Sequence, residues 1–226
     1  MQVSFSGGGG GGMRQLIKRL YLWSLSAEIA RPVWRSMARR KLRRFRPPYK
    51  LHLGCGSVRF DNWINVDLSW RNQAVDIPWD LTTKLPLEDG CCEMMYCEHV
   101  LEHFAVEQGV NFLGDCRRVL QSGGVLRLAM PSLDAILEKA VRPDWRDQDW
   151  LTWPEYQFIQ TRAEMLNICF SSWGHKWLYD REELHRRLRE AGFTSWEDVA
   201  WGTSRIPELM NRETRKDSLL ICEARK

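Results

Sequence analysis

From residue 49 onward, short apolar runs alternate with segments whose apolar residues recur at helical spacing. The apolar runs predict strands over residues 50–53, 63–66, 94–97, 125–130, 196–201 and 218–223. Apolar positions three and four apart predict helices over 106–120 and 181–191, and Gly192 ends the second one. Strands that alternate with helices over short connections predict an α/β fold with a doubly wound, mostly parallel sheet. In such a sheet, ligands bind beyond the carboxyl ends of the strands.

The chain before residue 49 divides into two regions. Residues 7–12 are all glycine, so we interpret residues 1–12 as a disordered linker or a cloning scar. Residues 13–46 are predicted to form a basic amphipathic helical arm, because apolar and aromatic side chains recur among its arginines and lysines. Two prolines at 47–48 then force extended chain, which places the start of the main domain, residues 49–226, at this point.

The charge of the chain is concentrated in the arm. Residues 14–46 contain eleven Lys and Arg residues and one acidic residue, Glu28, so the net charge of the arm is +10. The net charge of the whole chain is +4, so the remaining residues carry −6. This predicts contact with an anionic surface, and the aromatic residues favour a phospholipid leaflet over nucleic acid. The alternative is that the helix packs on the body while its arginines are solvated.

Composition limits the location. No apolar run reaches the ~18 residues that a membrane-spanning helix needs. The seven cysteines include no CxxC pair, which disfavours a disulfide framework and a Cys-rich zinc site and predicts a cytoplasmic location.

The candidate chemistry begins where the first strand ends, in the residues LHLGCG (51–56). Gly54 and Gly56 let the backbone turn sharply and approach a ligand closely. Asp67 ends the second strand, where a carboxylate can accept hydrogen bonds from both hydroxyls of a ribose. Gly56 is followed by Ser-Val-Arg, so the third glycine of a dinucleotide-binding motif is absent. This disfavours a nicotinamide cofactor.

The order of the motifs resembles the class I S-adenosylmethionine-dependent methyltransferases, in particular those with a methyltransferase type 11 domain. The segments that carry the resemblance run through residues 50–226: LHLGCG, INVDL, DL (80–81), LPLEDG, EHVLEHF, RVLQSGGVLRLAMPSLD, GHKWLYDREEL, REAGF and DSLLICEARK. The later segments resemble uncharacterised members associated with polysaccharide and cell-surface sugar pathways. The residues after Gly56 depart from the small residue that many members keep there.

The resemblance implies a seven-stranded sheet and S-adenosyl-L-methionine as cofactor. The implied cofactor-binding residues are Leu53, Gly54, Cys55, Gly56, Asp67, Leu68, Asp80, Leu81 and Cys97. The two glycines would lie beside the amino acid moiety, Asp67 on the ribose, and Asp80 and Leu81 near adenine.

Methyl transfer requires an aligned nucleophile and, where the nucleophile is protonated, a group that removes the proton. The candidate catalytic residues follow the fourth strand: Glu98, His99 and His103. For His103 the alternative is a role in bracing the local helix.

Residues 99–103 also spell H-x-x-E-H, the pattern of inverted zinc proteases, but they lie inside a complete order of cofactor motifs. Small-RNA 2′-O-methyltransferases and ubiquinone-pathway O-methyltransferases hold a divalent ion in an E-x-x-E-H cluster. The matching set here would be His99, Glu102, His103 and the distant His175. Histidine in place of the first glutamate suits Mg²⁺ poorly, so we predict no metal site and keep this cluster as the alternative.

Residues 142–176 are rich in aromatic side chains and are predicted to form a helical substrate cap. The aromatic rings either stack on a sugar, a ring or a cation, or fill the core of the cap. Asn167, His175 and Tyr179 are the candidate substrate contacts.

The sequence as a whole predicts methyl transfer to an oxygen or nitrogen of a small or lipid-linked acceptor, with a sugar as one candidate, by a cytoplasmic enzyme peripheral to the membrane. The alternatives are an RNA methyltransferase and a non-catalytic cofactor-binding scaffold. The sequence fixes neither the acceptor atom nor the oligomeric state.

Overall fold

The computed structural model describes residues 36–69 and 71–226. The predicted linker and most of the predicted arm, residues 13–35, lie outside the described residues. Residues 36–42 are helical, with Ala38 and Leu42 buried against the main core. Arg39, Arg40 and Arg43 are exposed, so this part of the arm packs on the body and leaves its arginines in solvent.

A seven-stranded sheet forms the centre of the molecule. Its strands are β1 Tyr49–Leu53, β2 Ile64–Asp67, β3 Ile77–Pro78, β4 Cys92–Glu98, β5 Leu120–Met130, β6 Ser195–Asp198 and β7 Leu220–Arg225. Their order is β3-β2-β1-β4-β5-β7-β6. The first five strands are parallel, and β7 runs antiparallel to both β5 and β6. The predicted doubly wound, mostly parallel sheet is confirmed.

Besides the helical residues 36–42, four α-helices follow in the described part of the chain: α1 Val106–Val119, α2 Leu133–Val141, α3 Arg162–Ser171 and α4 Arg181–Glu190. The helices predicted from the sequence include α1 and α4, but not α2 and α3. The start of α3 nevertheless has a local sequence motif, because Thr161 and Glu164 form a capping box. The Thr161 hydroxyl accepts from the Glu164 N–H at 3.1 Å, and the Glu164 carboxylate accepts from the Thr161 N–H at 3.0 Å.

Two strands, β3 and β5, differ most from the strands that the apolar runs predict. Strand β3 has only two residues, too few for a periodic signal, and the prediction missed it. The sequence predicts β5 from residue 125, but the strand begins at Leu120 and includes both Gly123 and Gly124. Leu120 pairs with Cys92, and the register shifts between Cys92 and Met94, so the additional residues join the sheet through an irregular ladder.

A buried arginine connects the central strand to the C-terminal part of the chain. Arg127 of β5 is 0% exposed and lies 2.6 Å from a carboxylate oxygen of both Glu213 and Glu223. It also donates to the carbonyl of Thr203 at 2.8 Å. The segment between β6 and β7 is therefore fixed against the sheet by charge-assisted hydrogen bonds.

His52, on β1, makes the stability of the fold depend on pH. Burial is the main reason that the pKa of His52 falls from 6.5 to about 4. The unfolded chain takes up a proton below pH 6.5 and the native chain does not, so acidification from pH 6.5 towards pH 4 destabilises the fold. Each pH unit in that window costs about 1.4 kcal/mol.

Urea unfolding of wild type and His52→Gln at pH 6.5 and at about pH 5 measures this contribution. We expect wild type to lose about 2 kcal/mol more than the variant between these values. If wild type and variant lose the same free energy of unfolding between the two pH values, the His52 imidazole is not buried in its neutral form.

Candidate active site

The loop after β1 has a backbone that only glycine accommodates. Gly54 has φ +71°, and its N–H donates to the carbonyl of Val66 at 2.8 Å, which ties the loop to the end of β2. A Cβ at Gly54 would lie 2.1 Å from Cγ2 of Val100. The segment after β4 therefore packs directly on this loop, and any side chain at residue 54 would separate the two.

Two carboxylates stand at the ends of neighbouring elements. Asp67 is half-buried at the end of β2, and its Oδ2 accepts from the Gly56 N–H at 2.9 Å. Asp80 follows β3, and its Oδ1 accepts from the backbone N–H of Thr82 at 3.0 Å and from the Thr82 hydroxyl at 2.6 Å. Each carboxylate is positioned by the adjacent backbone and retains lone pairs for hydroxyl or amino groups.

A cavity of about 490 Å³ lies over the carboxyl ends of β1, β2 and β4. The cofactor-binding predictions that line it are Gly54, Cys55, Gly56, Asp67, Leu68, Asp80 and Leu81. Leu53 and Cys97 do not line it, because their side chains point into the core and are 0% and 2% exposed. The structure therefore leaves these two residues only their backbone for a contact with the cofactor, and their role there stays a prediction.

The cavity has the chemistry of an adenosine site. Asp67 and Asp80 offer acceptors for ribose hydroxyls and an exocyclic amino group, and Leu68 and Leu81 offer apolar surface for a purine. The buried Nε1 of Trp79, another lining residue, has no hydrogen-bond partner among the described residues. A buried N–H without a partner costs free energy, and an acceptor on a bound molecule would satisfy it.

A methyltransferase domain family matches residues 51–128, which include the glycine loop, Asp67, Asp80 and strand β4. That model describes a methyltransferase domain and covers about a third of the chain, and it indicates an S-adenosylmethionine-dependent methyltransferase. The cofactor, S-adenosylmethionine, supplies an electrophilic methyl group when bound. The residues that would hold it are the glycine loop, Asp67 and the 79–82 segment.

Solved structures share the fold of this methyltransferase. A SAM-dependent methyltransferase from Thermotoga maritima is 16% identical, with a TM-score of 0.50, and the match covers 94% of this chain and 97% of that one. A S-adenosylmethionine-dependent methyltransferase from Mesorhizobium loti is 19% identical, with a TM-score of 0.50 and coverage of 84% and 96%. No curated protein matches the chain.

Glu98 ends β4, and its carboxylate is fully occupied. It accepts from the N–H and the hydroxyl of Thr214, from the N–H of Arg215 and from the hydroxyl of Ser218. These bonds hold Thr214 and Arg215 against the cavity that they line. Sequence reasoning missed both residues, since nothing local links them to a glutamate more than a hundred positions earlier. Catalysis by Glu98 stays a prediction, and the geometry favours a role in holding this segment.

His99 follows directly and lines the cavity. Its φ is +51°, and its side chain is 7% exposed. Its Nδ1 lies 3.0 Å from Oε1 of Glu102, and its buried Nε2 has no hydrogen-bond partner among residues 36–69 and 71–226. Oδ1 of the exposed Asp217 lies 3.7 Å from this Nε2. His99 thus brings an imidazole nitrogen without a hydrogen bond within the described residues to the end of β4.

His103 lines the cavity together with His99 and His52, and its side chain is 35% exposed. Burial lowers the pKa of His103 below its ordinary value, although the nearby Glu102 carboxylate opposes the shift. The ring of His175 lies with its centroid 5.2 Å from that of His103. Of the three predicted substrate contacts, His175 does not line the cavity itself but lies against His103, which does.

The other two predicted substrate contacts lie elsewhere. Tyr179 is 1% exposed in the main core, where burial raises its pKa, and its backbone pairs with Ser132. Asn167 is exposed on α3, where its amide donates to the carbonyl of Ala163 at 2.8 Å. Neither residue lines the cavity, so the structure does not support them as acceptor contacts.

The aromatic residues of the cap divide between the two predicted roles. Trp145 is buried with Ile159 and Met165 in a core of its own. The exposed aromatic residues of this region are Trp153, Phe158, Phe170, Trp173 and Trp177. Part of the aromatic content therefore fills the cap, and part remains available at the surface.

Asp67→Ala should weaken binding of S-adenosylhomocysteine by about 1–3 kcal/mol, because ribose hydroxyls lose a charged acceptor. Calorimetric titration measures the change, with the exposed neighbour Asp61→Ala as the matched control. Equal affinity in Asp67→Ala and wild type would remove Asp67 from the cofactor site.

Proposed function

We propose that this enzyme methylates an oxygen or nitrogen nucleophile of a small or lipid-linked acceptor that enters between the cavity and the aromatic cap. A sugar hydroxyl is the acceptor to test first. The observation that carries the proposal is that the two imidazoles that follow β4, His99 and His103, line the same cavity as the cofactor residues.

A hydroxyl or amine that attacks a methyl group gives up a proton, and a positioned imidazole can receive it. His99 is the better candidate of the two, since the Glu102 carboxylate lies beside its Nδ1 and its Nε2 makes no hydrogen bond in the described part of the chain. A carboxylate beside one ring nitrogen orients the imidazole and stabilises its protonated form. Glu98 already accepts four hydrogen bonds and has little capacity left for this role.

Aromatic rings extend from the cavity edge towards the surface. The centroids of His175 and Trp173 lie 5.5 Å apart, and those of Trp173 and Tyr156 lie 5.7 Å apart. Trp173 is 42% exposed. Exposed aromatic faces beside a reaction cavity are suited to the apolar face of a sugar or to another ring.

We also propose that the enzyme works in the cytoplasm at an anionic membrane surface, through the basic arm. All seven cysteines are free thiols, in keeping with a reducing compartment. The described end of the arm adds exposed Arg39, Arg40, Arg43 and Arg44 to one short stretch. Within the described residues, no helix has both the length and the apolar character to cross a membrane.

RNA is the less favoured acceptor. The cavity is lined by Asp67, Asp80 and Glu98, and Arg215 is the one Lys or Arg among the described lining residues. A phosphate backbone would meet little positive charge there. The acceptor class is therefore best sought among uncharged or lipid-linked molecules.

Transfer of a labelled methyl group to a panel of sugars, amines and lipid-linked sugars tests the proposed reaction. With an accepted sugar, Trp173→Ala should lower kcat/KM about tenfold, since a stacking contact contributes roughly 1 kcal/mol or more. Phe158→Ala is the matched control, because Phe158 is an exposed ring of the same cap.

His99→Ala should lower kcat by about 10²–10⁴ with cofactor affinity retained. If the protein binds the cofactor but methylates no acceptor, the alternative of a non-catalytic cofactor-binding scaffold would be supported instead.

Co-sedimentation with anionic and neutral vesicles tests the proposed location. Replacement of Arg39, Arg40, Arg43 and Arg44 by Gln should weaken binding to anionic vesicles by about 1 kcal/mol for each arginine at the surface. Binding of S-adenosylhomocysteine serves as the control for folding. Equal binding to neutral vesicles, or tighter and strongly salt-dependent binding to RNA, would contradict the membrane role.

A further inference from the structure

Glu102 is a buried carboxylate without compensation from any fixed positive charge nearby. It is 1% exposed, and neither of its oxygens has a hydrogen-bond partner in the described part of the chain. The basic atoms beside it are imidazole nitrogens: Nδ1 of His99 at 3.0 Å and Nε2 of His103 at 4.0 Å. Burying a carboxylate in this state costs free energy, and a bound cation would offset the cost.

Two imidazoles converge with this carboxylate. One donor atom from each of Glu102, His103 and His175 lies within 4.8 Å of the other two. Nδ1 of His175 lies 2.8 Å from the carbonyl oxygen of Cys169, which can only accept a hydrogen bond. Nδ1 of His175 therefore carries the proton, and Nε2 keeps a free lone pair in the neutral ring.

The backbone fastens His175 to the turn that carries Glu102. The N–H groups of Lys176 and Trp177 both donate to the carbonyl of Glu102, at 2.8 and 3.2 Å. Gly174 has φ +85°, and a Cβ there would come within 3.4 Å of Nδ1 of His103. The three side chains are thus brought together by main-chain hydrogen bonds and a tight turn, before any ligand is present.

We infer that Glu102, His103 and His175 form a binding site for one divalent transition-metal ion such as Zn²⁺. Two imidazole nitrogens and one carboxylate oxygen suit this class of ion, whereas Mg²⁺ and Ca²⁺ prefer sets of oxygen ligands. His103 also lines the active-site cavity, so the ion lies at the edge of that cavity. Three protein ligands leave a coordination position open. Its use by an acceptor oxygen rests on the proposed function, but ion binding does not.

A second group with similar spacing serves as the internal comparison. His185, Asp198 and Cys222 also place donor atoms within 4.8 Å of one another. Asp198 already pairs with His185 at 2.9 Å and with Arg181 at 2.9 Å, so its charge is balanced. This group has no unsatisfied carboxylate and is not expected to hold an ion.

The test uses the full chain without a purification tag, treated with chelator and then titrated with Zn²⁺ by calorimetry and with Co²⁺ by visible absorption. We expect one ion for each wild-type chain. His175→Ala and Glu102→Gln should weaken binding about 100-fold or more, since even loss of a residue that only orients a ligand costs 10–100-fold. His185→Ala should bind the ion like wild type.

The same samples are titrated with S-adenosylhomocysteine, which shows that each variant is folded. Wild-type affinity for Zn²⁺ no higher than that of His175→Ala would overturn the site, as would binding lost in His185→Ala but retained in His175→Ala. A chain that fails to bind S-adenosylhomocysteine or to methylate any acceptor would count against the proposed function and leave the ion measurement unaffected.

Discussion

The site depends on the close approach of β1 and β4 at their carboxyl ends. The two strands are neighbours in parallel register, with Leu53 opposite Cys97, so the chain leaves both at the same edge of the sheet. There the backbone of Gly54 packs against the Val100 side chain with no room for a Cβ. This contact places the cofactor loop and the imidazoles after β4 in one cavity, and every chemical role proposed for the molecule requires that proximity.

The buried acidic residues around the cavity differ in how their charge is satisfied. Glu98 accepts four hydrogen bonds, and Glu213 and Glu223 share the Arg127 guanidinium. These groups fix the segment between β6 and β7, because buried charges that are paired and hydrogen-bonded resist rearrangement. Glu102 is buried just as deeply but lacks hydrogen-bond donors within the described residues. The first set of carboxylates holds structure, whereas Glu102 is the carboxylate on which the proposed ion site depends.

The sequence predicted the cavity-lining residues correctly where they form short motifs directly after a strand. The glycine loop, Asp67 and Asp80 all reach the cavity because each directly follows a strand, and strand ends gather at one edge of a parallel sheet. Nothing in the sequence indicated that Tyr179 lies in the core, and the motifs did not separate Leu53 and Cys97, whose side chains are buried, from the residues that line the cavity. Strand β3 was missed because two residues give no periodic pattern, whereas helix α2 was missed although its apolar residues do recur at helical spacing.

Local periodicity was enough to predict the α/β class and the sheet with its glycine loop, and the resemblance of the ordered motifs to the class I methyltransferases implied the cofactor. The role of each polar residue after β4 could be read only from the folded chain. Glu98 meets Thr214, and His103 meets His175, through packing of segments far apart in the chain. Such contacts depend on how whole elements dock, and the spacing of residues within any one element does not encode them.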